Sequence, residues 1–396
     1  MAVARRRLSR VFTIGIGAVL ALAACSSNTP ESTDTGGTYK WGLDVELSGS
    51  VAFYGQSIAD GVNAYVEQVN AKGGINGHKI EVTSLDSGGD QARSAANATQ
   101  LATVNQVNAI FGNTLSANCT AATPIVERNK IPMACLSVAT ANPYVFSLGA
   151  DNTRAADALF ASAKKVTSKS NPKAAFVYLN TLTDIALSKT VAAKAGAAGV
   201  TIATTQQLDI TKADVSAQVA EVVKSAPDVV LISTTGPSFV TFLKGVRAGS
   251  VAAPFVWVDG SSNLGSLAQS TDEGVYAFNV WQIADPASSE SAVKEFVAAV
   301  TPKIKGEVNA SSLNAGEYIP GYVTARAFGE ALKTCGYPCS GEKLKGELEK
   351  VNLSLPGLLP SFGYTATDHY PYKNWYVYKV VGTKTTLTDT LPAPLP

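Results

Sequence analysis

The chain has 396 residues, with 32 Lys or Arg, 31 Asp or Glu and two His, a formal charge of +1. That balance, with no Lys/Arg run and no interleaving of basic and aromatic residues, offers nothing for nucleic acid to bind. Hydrophobic residues make up 46%, and a chain of this length outgrows one small core, so two domains are expected.

In chain order, residues 1–24 read as an export signal. Arg5, Arg6, Arg7 and Arg10 form a basic start, and Val11 to Ala24 is an apolar stretch short for a bilayer span. It closes on Leu22-Ala23-Ala24-Cys25, which looks like a bacterial lipobox, so Cys25 is expected to become the lipidated first residue. Residues 25–38 are mostly Ser, Thr, Gly, Pro and Asn, which cannot bury a core and read as a flexible tether. Cleavage removes four arginines and leaves 28 basic against 31 acidic residues. No further stretch has transmembrane length.

The folded part opens with a strand over 41–47, stopped by Ser48-Gly49. Ile58, Val62, Tyr65, Val66 and Val69 then recur at helical spacing, which predicts a helix over 56–72. Gly73-Gly74 ends it, Asn76-Gly77 turns the chain, and a strand over 79–85 completes a right-handed βαβ unit. A helix over 90–106, a strand over 107–111, a helix over 119–129 and a strand over 131–136 continue the alternation, as expected of a parallel sheet with helices on both faces. The pattern restarts with helices over 153–168, 183–198, 212–225, 237–248 and 263–269. Strands over 173–179, 200–207, 228–233, 254–258 and 274–279 alternate with them. Three late helices (288–302, 317–334, 341–350) precede an aromatic-rich, strand-like end.

Two stretches of the first unit carry a resemblance. Leu47-Ser48-Gly49, Ala52 and Tyr54-Gly55-Gln56, followed by Asn70 to Glu81 (NAKGGINGHKIE), are similar to the start of the type I periplasmic solute-binding proteins, the leucine/isoleucine/valine-binding branch of the ABC importers. The resemblance implies an α/β fold of two Rossmann-like lobes joined by three hinge crossings, expected near 144–148, 280–286 and 353–360. The N-terminal lobe would then be 39–145 plus 285–353 and the C-terminal lobe 146–284 plus 354–396. It also implies an extracytoplasmic lipoprotein, monomeric and without cofactor, that binds a small solute and docks on an ABC permease. A branched-chain or related amino acid is the expected solute. Carried over residue by residue, Tyr54 is an aromatic of the first loop, Ser116 with Ala139 and Thr140 hold the ligand carboxylate, and Asp259 grips its ammonium.

The chain departs from the family in two places. Asp-x-x-x-Tyr-Gly is replaced by Asn180-Thr181-Leu182-Thr183-Asp184, and an aromatic after the 228–233 strand by Thr234-Thr235. These leave the ligand side chain open, so an aromatic or aliphatic acid, an amide or a urea-like solute is the alternative. Outside the class, a ligand sensor or a cell-surface hydrolase remains.

The residues themselves locate a site independently. Open α/β sheets bind ligands beyond the carboxyl ends of their strands, here residues 47–55, 112–118 and 136–143 in the first lobe. In the second they are 180–184, 233–238 and 257–263. Catalytic and metal residues find no support: HExxH, Walker and GxSxG patterns are absent. His78, in a polar turn, is expected on the surface, and His369, between aromatic segments, is expected to be structural.

Besides Cys25 there are four cysteines, an even number outside the cytoplasm. Three pairings are possible. Cys335 with Cys339, across Gly-Tyr-Pro, and Cys119 with Cys135, a helix start facing the end of the next strand, are preferred.

Overall fold

Six of the seven residues of β1 (Tyr39–Val45) are buried, as in a strand covered on both faces. The computed structural model describes residues 36–393 except 139, 152, 153, 259, 268, 269 and 383. The export signal, Cys25 and most of the tether therefore lie outside the described residues.

After β1 come α1 (Ala52–Ala71), β2 (Ile80–Asp86), α2 (Gln91–Thr103), β3 (Ala109–Gly112), α3 (Ser116–Asn129), β4 (Met133–Cys135) and β5 (Val145–Ser147). Their strands form one all-parallel sheet in the order β2-β1-β3-β4-β5. A second sheet grows from α4 (Ala156–Thr167), β6 (Lys173–Leu179), α5 (Leu182–Lys194), β7 (Thr201–Leu208) and α6 (Ser216–Ser225). It continues through β8 (Val229–Ser233), α7 (Gly236–Ala248), β9 (Phe255–Val258), a 3-10 segment (Gly260–Leu267) and β10 (Val275–Asn279).

The chain then returns to the first sheet's layer with α8 (Ser291–Val300), α9 (Ala310–Leu313), α10 (Tyr318–Cys335) and α11 (Gly341–Leu348). Both α8 and α10 pack on α1. Two glycines permit the close approach: a Cβ on Gly321 would sit 2.6 Å from the Ile58 carbonyl oxygen, and one on Gly61 would strike the Tyr318 carbonyl. A hairpin of β11 (Asn352–Leu355) and β12 (Leu359–Gly363) follows. Last, β13 (Asn374–Val381) and β14 (Lys384–Pro392) join the second sheet antiparallel beside β10. The second sheet runs β14-β13-β10-β9-β8-β6-β7.

Within the segment 144–148, where a crossing is expected, the chain forms a short strand before it passes on to α4 and the second sheet. Val145–Ser147 pairs in parallel with Met133–Cys135, and three residues are too few to show a period. His78 is not on the surface. The turn that carries it is covered by the 335–339 loop: its ring stacks on Tyr337 at 3.9 Å between centroids, and its Nδ1 lies 2.9 Å from the Gly37 carbonyl. His369 stacks on Phe146 and bonds the Val145 carbonyl and Glu349. The thiols pair as Cys119–Cys135 (Cα–Cα 6.1 Å) and Cys335–Cys339 (5.8 Å), within the usual span for such bridges.

Candidate functional site

The carboxyl ends of the two sheets face a common cleft. On the first side, Glu46 follows β1 and is buried. Its carboxylate accepts the Thr114 N–H at 3.1 Å and an Asn118 amide hydrogen at 3.2 Å. Gly112 has φ 142° and Asn113 φ 52°, the left-handed region that Gly and Asn adopt most readily. A side chain at Gly112 would also meet the Asp44 carbonyl. This turn, pinned by Glu46, delivers Thr114, Leu115 and Ser116 to the cleft wall, with Ser116 opening the 14-residue α3. Gly55 lets the start of α1 press on the Glu46 backbone, which sets Tyr54 at the same wall.

On the second side, Thr181 caps α5 by accepting the Asp184 N–H at 3.1 Å. The Thr181 hydroxyl donates to Asp184 Oδ2 at 2.7 Å, and Ser233 Oγ donates to Oδ1 at 2.6 Å. Trp257, stacked on Phe239, donates its indole N–H to the Thr234 carbonyl at 2.9 Å and holds the turn after β8.

The cleft holds a cavity of about 120 Å³. The first sheet contributes Val51, Tyr54, Thr114, Leu115, Ser116, Leu136 and Ser137. The second contributes Leu179, Thr181, Thr183, Asp184, Ile210, Ser233, Thr234, Thr235, Val258 and Asn263. Glu317, just before α10, completes the wall. A larger pocket of about 430 Å³ adjoins it and shares Tyr54 and Asn263 among its lining residues. There the Tyr54 hydroxyl donates to Asn263 Oδ1 at 2.7 Å, and the same oxygen accepts the Gly236 N–H at 3.1 Å. One bond thus spans the cleft from α1 to the segment after β9.

The lining is polar and, where charged, acidic. Asp184 and Glu317 are each only 5% exposed, and no Lys, Arg or His is among the described residues that line the cavity. Two hydroxyl oxygens, Thr114 Oγ1 and Thr234 Oγ1, are buried and have no described partner; both residues are 7% exposed. Behind this wall, burial pushes the Asp44 carboxyl up to about 7, against the pull of Asn97, Asn113 and Ser94 and with a push from the neighbouring Glu46. Neither His78 nor His369 lines the cavity. Among the described residues, no group of three His, Cys, Asp or Glu side chains could hold a metal ion, and no helix is long and apolar enough to cross a membrane.

Of the residues expected from sequence, Tyr54 and Ser116 share the cavity wall. Thr140 does not reach it. It is exposed and lines a separate cleft of about 470 Å³ with Asp151, Arg154 and Asp368, where Asp368 accepts two Arg154 bonds. From that loop Leu136 and Ser137 reach the cavity instead. Ala139 and Asp259 lie outside the described residues. Asp184, Thr234, Asn263 and Glu317 were not anticipated as ligand contacts. The first three fall within the strand-end segments 180–184, 233–238 and 257–263; Glu317 arrives just before a late helix whose return no local pattern announces.

The periplasmic binding protein family model matches residues 38–385. A Leu/Ile/Val-binding protein homolog 7 of Brucella suis biovar 1 is 27% identical over 373 residues, covering 89% of each chain. Among solved structures, the branched-chain amino acid transporter substrate-binding protein LivJ of Streptococcus pneumoniae, in complex with isoleucine, superposes with TM-score 0.73 at 21% identity, covering 90% of this chain and 100% of that one. A solute-binding protein of an ABC transporter from Rhodopseudomonas palustris HaA2, in complex with p-hydroxybenzoic acid, gives 0.75 at 17% identity, covering 90% and 98%. At these identities the two structures establish a shared fold.

Proposed function

Because the chain belongs to the periplasmic binding protein family, whose members are extracytoplasmic solute-binding proteins, we propose that it is the lipid-anchored solute receptor of an ABC importer. Cys25 carries the lipid, the two lobes close on a small solute, and the closed form docks on a permease. The solute is an amino acid, branched-chain or a relative of that class. The observation that carries this reading is the cavity itself, built from the strand ends of both sheets.

The wall supports roles for two of the residues, and the resemblance supplies a third. The Ser116 hydroxyl and the free N–H groups at the start of α3 suit a carboxylate. Tyr54 closes over the ligand. Asp259, on the resemblance, takes the ammonium. No residue is assigned a catalytic role.

A thermal-shift screen of the exported protein against the twenty amino acids and small acids such as benzoate tests this. A ligand at a hundred times its Kd should add about 2.7 kcal/mol of stability. Shifts from benzoate but from no amino acid would move the reading to the acid class; no shift at all would remove the solute-binding role. For the anchor, Cys25→Ala should leave the membrane fraction, and its retention there would contradict lipidation.

A further inference from the structure

Asp184 is the third residue of α5, and an acid there beside a Thr cap is favourable in any helix. Capping accounts for the Thr181 bond. It does not account for a second hydroxyl, from Ser233 on a neighbouring strand, aimed at the other carboxylate oxygen, nor for a side chain sealed from water on a cavity wall. Capping acids work at the solvated surface. Next to Ser233, Thr234 lines the same wall, and its hydroxyl is buried with no described partner. Glu317 faces the cavity from the first-sheet side.

A branched aliphatic side chain here would lie against a carboxylate and offer nothing to the Thr234 hydroxyl. A side chain with N–H donors can bond that hydroxyl and add a bond to the carboxylate. Resting on the amino-acid reading, we propose that the second lobe reads a hydrogen-bond-donating side chain (amide, ammonium or guanidinium), with Asp184 as the specificity-determining acceptor and Thr234 beside it. The hydroxyls of Thr181 and Ser233 orient the carboxylate, and Glu317 adds to a field that favours a cation and opposes a second anion. Sites built around buried polar groups reject analogues that lack the matching group by factors of about 10⁴–10⁵.

The test is calorimetry on the full exported chain with glutamine, asparagine, lysine and arginine against leucine, isoleucine, valine and benzoate. The tightest ligand should come from the first four, at least about a hundredfold ahead of the aliphatic set. Asp184→Asn should weaken that ligand about 30-fold or more. Thr234→Val, which keeps the shape and removes only the hydroxyl, should weaken it about tenfold. Melting of the ligand-free variants separates capping from recognition: a purely structural Asp184 would lower the melting temperature and leave the affinity of the folded fraction unchanged. If Asp184→Asn does not fold, Thr234→Val decides. Leucine, isoleucine or valine binding tightest would overturn the inference while leaving the amino-acid reading intact; so would wild-type affinity in both variants. Binding of benzoate alone would remove both.

Discussion

Asp44→Asn is expected to stabilise the protein by up to about 4 kcal/mol at pH 8, an unusual gain for a single buried substitution. Asp44 lies in the middle of the first sheet with no water contact. Asn97 donates to Oδ1 at 2.8 Å, while Oδ2 has no described partner. Burial is the largest influence and lifts its pKa from 3.8 to about 7. The folded state therefore holds this proton over a range in which the unfolded chain has lost it. Stability falls as pH rises from about 4 to about 7, because the folded state binds more protons there, and each pH unit is worth about 1.4 kcal/mol. Asn at this position carries no charge to desolvate. The gain should thus be full above pH 7, fall to roughly a third near pH 5 and vanish near pH 4. Urea unfolding of both proteins at pH 8, 5 and 4 reads it directly. A gain independent of pH would mean that Asp44 is not protonated in the folded state.

Two residues on, Glu46→Ala should act in the opposite direction. Glu46 accepts one backbone and one side-chain hydrogen bond from the loop that carries Thr114 and Ser116. Removing the carboxylate strands two buried donors at about 1–3 kcal/mol each, so a loss of about 2–6 kcal/mol is expected. Glu46→Gln keeps an acceptor and should cost less. The loop would also lose its anchor on β1, so solute affinity should fall in Glu46→Gln even where the protein remains folded. A Glu46→Ala variant within 0.5 kcal/mol of the parent, on the order of an ordinary surface change, would show that the loop is held by something else.

Asp44 lies on a strand whose existence is plain from Trp41, Leu43 and Val45, and Glu46 directly follows it, yet their depth is not legible. A carboxylate at alternate positions of a strand usually marks a solvated face; here the face is covered because α2 and α3 pack over it, a tertiary fact with no local signature. Elements with a clear period were legible: α1 from Ile58, Val62 and Tyr65, and β6 to the residue. The cleft was legible as well, because parallel sheets present their loops at one end, and the segments picked out there do meet across the cavity. Three things were hidden. Three-residue β5 is too short to carry a pattern. The register of the 136–143 loop depends on how that strand docks, so Ser137 and not Thr140 reaches the wall. Glu317 enters from 180 or more residues downstream of the other first-sheet contacts, through the packing of α10 on α1 at Gly61 and Gly321. Asp184 was noticed as a departure from a family pattern, and only its burial beside Ser233 shows what that departure places in the cavity.

The proposed solute site lies between the two sheets, in the cavity bordered by Ser116 and Ser137 on one side and Asp184 on the other. Calorimetric titration of the wild-type chain and of Ser137→Trp with each of the twenty amino acids tests it most directly. The indole would fill a cavity of about 120 Å³ without touching the β-strand registers. One-to-one saturation by at least one amino acid is expected in the parent and no measurable heat in the variant, with the ligand-free melting temperature of the two alike. Equal affinity in Ser137→Trp would place the ligand elsewhere and contradict it.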